Sequence, residues 1–169
     1  MTTPTAAEAH RAEADNAEPD IIDVLPLAPL QNGLLFHALA DPEALDVYTM
    51  QSTYRFAAPV DKDALRTACA TLLERHPILR AGFAHEQFDT PVQYIPAFVP
   101  LPWRELDLSA DPQAAHELEL LQVAERQQKF EMSRPPLIRF AYADLGAAGA
   151  ALVVTNHHIL IDGWSDALL

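Results

Sequence analysis

Residues 150–156, Ala-Ala-Leu-Val-Val-Thr-Asn, hold no charge and show no alternation of polar with apolar side chains. A strand covered on one face alternates, whereas a continuously apolar one is covered on both. The run therefore predicts an interior strand, which requires further strands beside it and layers packed over it. Leu137 to Leu145 reads as a second strand, joined to the first across Gly146 to Gly149.

The rest of the chain supplies the layers. Leu30, Leu34, Leu35 and Leu39 fall on one face of a helix, opened by the prolines of Leu25-Pro26-Leu27-Ala28-Pro29-Leu30 and stopped by Asp41-Pro42. Tyr48 to Phe56 alternates and is rich in Tyr and Thr, so it predicts a strand. Asp61 caps a helix running to about Arg75, with Leu65, Cys69, Leu72 and Leu73 as its apolar stripe, and His76-Pro77 ends it. Ile78 to Phe83 and Val92 to Ile95 predict a short strand pair. Residues 96–110, with Pro96, Pro100 and Pro102, read as a loop. Asp111-Pro112 opens a further helix carrying Leu118, Leu121 and Val123 to about Phe130. Trp164 to Leu169 read as the first turns of another helix, an abrupt place for a domain to stop.

Helices alternating with strands predict an α/β fold, a mixed sheet with helices packed on it. Residues 1–20 are acidic and Ala-rich without apolar periodicity, so a disordered tail or linker is expected there, with the folded unit from 21 to 169.

Charge and composition exclude several functions. The 169 residues have a formal charge of −13 with 11 Lys and Arg, which argues against nucleic acid as a partner. No apolar run approaches the ~20 residues of a membrane span, and a cytoplasmic location is expected. The single cysteine, Cys69, sits in an apolar helical stripe and reads as a buried hydrophobe, not a nucleophile. No glycine-rich phosphate loop is present.

The chemistry concentrates in Asn156-His157-His158-Ile159-Leu160-Ile161-Asp162-Gly163-Trp164-Ser165. Adjacent residues of an extended chain point to opposite sides, so His157 and His158 cannot share one role. An imidazole near neutral pH can take a proton from an amine and orient it. Asp162 admits three readings: it orients His158, binds a metal with it, or makes a structural ion pair. Diverging adjacent histidines disfavour the metal, and no metal or bound cofactor is expected.

This segment resembles the HHxxxDG signature of condensation domains from nonribosomal peptide synthetases, in the chloramphenicol acetyltransferase-like superfamily. Further stretches agree in order. Leu25 to His37 (LPLAPLQNGLLFH) is similar to the family's opening motif, SPLQEGMLFH. Arg75 to Phe83 (RHPILRAGF) is similar to RHxxLRxxF, and Phe130 to Leu137 (FEMSRPPL) to the FDLxxxPLxR region.

The resemblance implies an amino-terminal chloramphenicol acetyltransferase-like lobe, one half of a V-shaped domain whose carboxy-terminal lobe is not in this chain. It implies amide bond formation between a carrier-bound aminoacyl or peptidyl thioester and a carrier-bound aminoacyl acceptor. His158 is then the catalytic candidate. His157, Asp162 and Gly163 complete the motif: His157 and Trp164 give shape, and Gly163 leaves room for substrate. Asp162 is expected to pair with Arg80 in a structural ion pair, with Arg75 in reserve. Gln31, Phe36 and His37 are expected to be core and scaffold. Partners would be upstream donor and downstream acceptor peptidyl carrier proteins bearing phosphopantetheine. This fragment alone is expected to be inactive and open to self-association. The alternatives are a non-catalytic platform for carrier or tailoring proteins, or a coenzyme A-dependent acyltransferase.

Overall fold

The structure, a computed structural model, describes residues 20–40, 45–86, 88–163 and 165. The expected tail, the Asp41-Pro42 stop, Trp164 and the helical turns at 166–169 lie outside the described residues.

Strand β7 (Ala150–His157) is the interior strand the sequence predicts. It pairs antiparallel with β2 (Thr49–Phe56) on one side and with β6 (Ile138–Asp144) on the other. Strand β5 (Trp103–Asp107) adds to β6 in parallel, giving the order β2-β7-β6-β5. A second sheet, β1-β4-β3, is built from β1 (Ile21–Pro26), β3 (Gly82–Ala84) and β4 (Val92–Pro96). The short pair expected around residues 78–95 is this β3–β4 hairpin, its first strand preceded by a 3-10 turn over Pro77–Arg80.

Among the described residues, three α-helices supply the layers. Helix α1 (Pro29–Ala40) begins on a proline whose missing N–H costs nothing at that position. Helix α2 (Lys62–Arg75) begins as its sequence predicts, with the Asp61 carboxylate accepting the Ala64 N–H at 3.0 Å. Helix α3 (Ala114–Gln127) connects the parallel strands β5 and β6.

Both faces of the larger sheet are covered, which is why β7 can be apolar throughout. Leu152 joins the main cluster with Leu34, Leu35, Leu73, Leu79 and Phe83. Ala151 and Val153 join the second cluster with Leu118 and Leu121 of α3. Glu125 of α3, 5% exposed, takes hydrogen bonds from Arg104 of β5 and Arg139 of β6 and so fastens the helix to the sheet. Cys69 is buried, and burial pushes its thiol up to about 11, so it is the inert hydrophobe expected.

Four expectations need correction. Strand β5 lies inside the stretch read as loop: three of its five residues are charged and prolines flank it, so no apolar pattern marks it. Strand β1 was expected only as the start of order. It is exposed along its whole length at a sheet edge, and such a strand shows no burial pattern. The apolar face of α1 is half realised, for Leu34 and Leu35 are buried while Leu30 and Leu39 are exposed. Phe36, expected in the core, is 69% exposed.

The turn into β7 depends on Gly149, which has φ 95° and ψ −132°. A Cβ there would run into the Phe56 carbonyl oxygen. Gly149→Ala is therefore expected to cost about 3 kcal/mol or more, from strained dihedrals plus displaced backbone. A urea denaturation series read by circular dichroism checks this, and an unchanged midpoint would refute the requirement.

Candidate functional site

Strand β7 delivers the two histidines into different surroundings. His157 is the last residue of the strand, fully enclosed, while His158 follows it half-buried. The His158 N–H donates to the Tyr48 carbonyl at 2.9 Å, extending the β2–β7 contact one residue past the strand. From Ile159 the chain turns through buried Leu160 and Ile161 to the exposed Asp162 and Gly163.

The hydrogen bonds assign the ring protons. His158 Nδ1 lies 2.7 Å from the Ile161 carbonyl oxygen. A carbonyl only accepts, so Nδ1 carries the hydrogen and neutral His158 keeps its lone pair on Nε2. A half-buried imidazole with a free Nε2 lone pair can accept a proton from an amine. His157 is the reverse. Its Nδ1 accepts the Ile159 N–H at 3.0 Å, so the hydrogen sits on Nε2, which lies 3.0 Å from the Asp46 carboxylate.

Burial foremost, with His158 as a smaller contributor, holds the His157 pKa below the usual imidazole range, and Asp46 opposes the shift. Neutrality also follows from geometry, because an imidazolium could not accept the Ile159 N–H.

Gln31 ties the motif to helix α1 and the second sheet. Its side-chain oxygen accepts the Ala28 N–H at the helix start, and its nitrogen reaches Gln93 of β4 and the Ile159 carbonyl, each at 3.3 Å. This is the scaffold role expected of Gln31. His37 is exposed, with its ring 5.8 Å from that of Tyr48.

Asp162 and Arg80 do not meet as expected. The ion pairs among the described residues do not join them. Arg80 is buried, 6% exposed, and its guanidinium donates to the Leu73 and Glu74 carbonyls and, through Nε, to the Pro96 carbonyl at 3.0 Å. The last carbonyls of a helix lack partners within it, and Arg80, in the turn that follows α2, supplies them. Asp162 accepts the Ser165 N–H at 2.8 Å. Arg75 is exposed at the end of α2. A Cβ at Gly163 would have open space around it, so packing within the described residues does not demand glycine there.

Sequence reasoning missed Asp46 and Tyr48. Only a short-range signal was available, an aspartate placed to accept the N–H two residues on, and nothing local points to a histidine so far along the chain.

Comparison with known proteins bears on the family and the fold. Residues 21–169 match the family model described as Condensation domain. Over 157 residues the chain is 34% identical to a linear gramicidin synthase from Brevibacillus parabrevis, covering 91% of this chain and 2% of that protein. It is 31% identical over 152 residues to bacitracin synthase 3 of Bacillus licheniformis, covering 89% of this chain and 2% of that protein. The first condensation domain of the calcium-dependent antibiotic synthetase, solved with a substrate analogue, has the same fold: TM-score 0.77 at 24% identity, covering 86% of this chain and 35% of that one. The starter condensation domain of rhizomide synthetase superposes with TM-score 0.76 at 21% identity, covering 86% of this chain and 35% of that one. The chain thus spans 35% of each of these two solved chains. Among the described residues no helix is long and apolar enough to cross a membrane.

Two outcomes follow. Because the folded-state pKa of His157 lies below its unfolded value near 6.5, its contribution is fully present above that pH and is lost as the pH falls below it. Between pH 7.5 and 5.5 the unfolding free energy should fall by up to about 1.4 kcal/mol per unit from this residue. His157→Gln should flatten that slope in urea titrations, whatever it does to the absolute stability. Arg80→Met should lower stability by about 2–4 kcal/mol, since it strips the donor from the Leu73 and Pro96 carbonyls in buried bonds and from the Glu74 carbonyl in a partly buried one, and the same titration at pH 7.5 measures it.

Proposed function

The chain belongs to the condensation-domain family of nonribosomal peptide synthetases, and we propose that it carries the base-bearing wall of a site that joins a thioester to an amine. The observation that carries this reading is His158: its Nδ1–H is engaged by the Ile161 carbonyl, which leaves Nε2 free to receive a proton.

In the proposed step the acceptor amine nitrogen attacks the donor thioester carbonyl. A C–N bond forms and the C–S bond breaks. The proton released by the amine passes to His158 Nε2 and then to the departing sulfur, so the imidazole ends as it began. The Ile161 carbonyl serves throughout, because protonating Nε2 strengthens the Nδ1–H bond it accepts. Holding the two reactants in register can replace about 7–11 kcal/mol of barrier, and this is the larger part of what the site has to supply.

Donor and acceptor are read as aminoacyl or peptidyl groups on the phosphopantetheine arms of an upstream and a downstream carrier protein. The remainder of the condensation domain is read as the opposite wall. On this reading the present chain does not catalyse alone, because one wall cannot hold both arms. The exposed Gly163 offers an edge where a substrate can pass without displacing a side chain.

The test is dipeptide formation by the complete condensation domain with loaded donor and acceptor carriers. His158→Ala is expected to reduce the rate at least 100-fold, the scale of a lost general base. An undiminished rate would remove His158 from the reaction and turn the reading toward a binding platform.

A further inference from the structure

The buried member of the histidine pair has a partner that no motif includes. Asp46 lies just before β2 with its side chain 6% exposed, against a His157 side chain that is 0% exposed. Its Oδ1 accepts the Tyr48 N–H at 2.9 Å, and its Oδ2 lies 3.0 Å from His157 Nε2. Across the ring, His157 Nδ1 accepts the Ile159 N–H at 3.0 Å. Acceptance at Nδ1 requires the neutral tautomer with hydrogen on Nε2, and the Asp46 charge beside Nε2 favours that hydrogen although the contact is not an aligned hydrogen bond. Two residues from Asp46, the Tyr48 carbonyl takes the His158 N–H. The same short segment thus grips His157 by its ring and His158 by its backbone.

We propose that Asp46 is a positioning residue for His158. By holding His157 in the Nε2–H form it fixes the Ile159 N–H, and with it the turn through which the Ile161 carbonyl receives the His158 Nδ1–H. The free lone pair of His158 is then left on Nε2. The proposal rests on reading His158 as the group that meets the amine, and it goes beyond that reading by naming what sets its proton.

The chemistry of the carboxylate makes the proposal specific. One carboxylate oxygen accepts the Tyr48 N–H, and the other sets its negative charge 3.0 Å from His157 Nε2, a contact out of hydrogen-bond alignment in which a hydrogen is favoured over a lone pair. An asparagine of the same shape has one acceptor and one donor group. If its oxygen keeps Tyr48, its NH2 faces Nε2, and His157 must move its hydrogen to Nδ1, against the Ile159 N–H. If its oxygen turns to Nε2, the Tyr48 N–H is left without its partner, and the strand start that holds His158 loosens.

The test reads proton positions directly and does not depend on amide synthesis. Long-range 1H–15N spectra of the 15N-labelled chain distinguish a ring nitrogen bearing hydrogen from one bearing a lone pair. The unsubstituted chain is expected to show His157 as Nε2–H and His158 as Nδ1–H. The opposite form of either ring overturns the proposal without any variant. In Asp46→Asn, His157 is expected to lose its single-tautomer pattern, His158 its pure Nδ1–H pattern, and the Ile159 amide to exchange about tenfold faster. The backbone spectrum of β5, at the opposite edge of the larger sheet from β2, reports whether the fold persists. Asp46→Ala, which removes both acceptors, should have the same effects. A folded Asp46→Asn or Asp46→Ala variant with both histidine patterns unchanged overturns the proposal, and if neither variant folds the tautomers of the unsubstituted chain decide it. Undiminished amide formation by His158→Ala would remove the catalytic reading while leaving these proton positions as measured.

Discussion

Coverage of β7 on both faces sets the conditions for everything at its end. The main cluster lies on one side and α3 on the other, so polar groups on the last residues of the strand have no water to turn to. Thr155, Asn156 and His157 Nδ1 find hydrogen-bond partners inside, and His157 Nε2 is met by the charge of Asp46. Thr155 Oγ1 accepts from Gln51 at 3.1 Å, the Asn156 amide reaches the His157 carbonyl at 3.4 Å, and His157 is held between Asp46 and the Ile159 N–H. The turn that follows is therefore shaped by hydrogen-bond closure. The strand is placed by apolar burial, and its end is placed by polar satisfaction.

Those two forces differ in how plainly they are written in the sequence. Apolar burial is periodic and local, so β7, β6, β2, α2 and the β3–β4 hairpin were legible from composition and spacing, as was the Asp61 cap. The resemblance of four ordered motifs added the family. Two of the edge strands, β1 and β5, were illegible for a physical reason: they are held by backbone pairing to a neighbour while most of their side chains stay in solvent. No pattern of side chains records a pairing made by the main chain. The parallel pairing of β5 with β6 is also non-local, made across the whole of α3.

Polar satisfaction is non-local as well, and there the reading of single residues failed in an instructive way. Arg80 and Asp162 carry opposite charges, and the motifs that contain them suggested a pair. The α2 carbonyls and Pro96 compete for the same guanidinium with short, converging acceptors, and a buried arginine with three such partners has little left to offer a carboxylate on an exposed turn. In the other direction, Asp46 attracts no notice in sequence, since an aspartate before a strand reads as a local turn. Its pairing with His157 exists because β2 and β7 run antiparallel with Thr49 opposite His157.

The adjacent histidines show how the backbone divides labour between identical side chains. For His157 to accept a proton, its Nδ1 would have to release the Ile159 N–H, leaving a buried donor unpaired at a cost of about 1–3 kcal/mol, in a place where burial already disfavours the charge. His158 meets neither obstacle. Its Nδ1–H points at a carbonyl that accepts equally from imidazole and imidazolium, so Nε2 can gain and lose a proton while every other bond of the ring is kept. A proton carrier has to survive both states without rearrangement, because any bond broken on protonation adds to the barrier. On the proposed reading the two rings differ by what faces Nδ1: at His157 it is a backbone donor, which demands a lone pair, and at His158 it is a backbone acceptor, which demands a hydrogen.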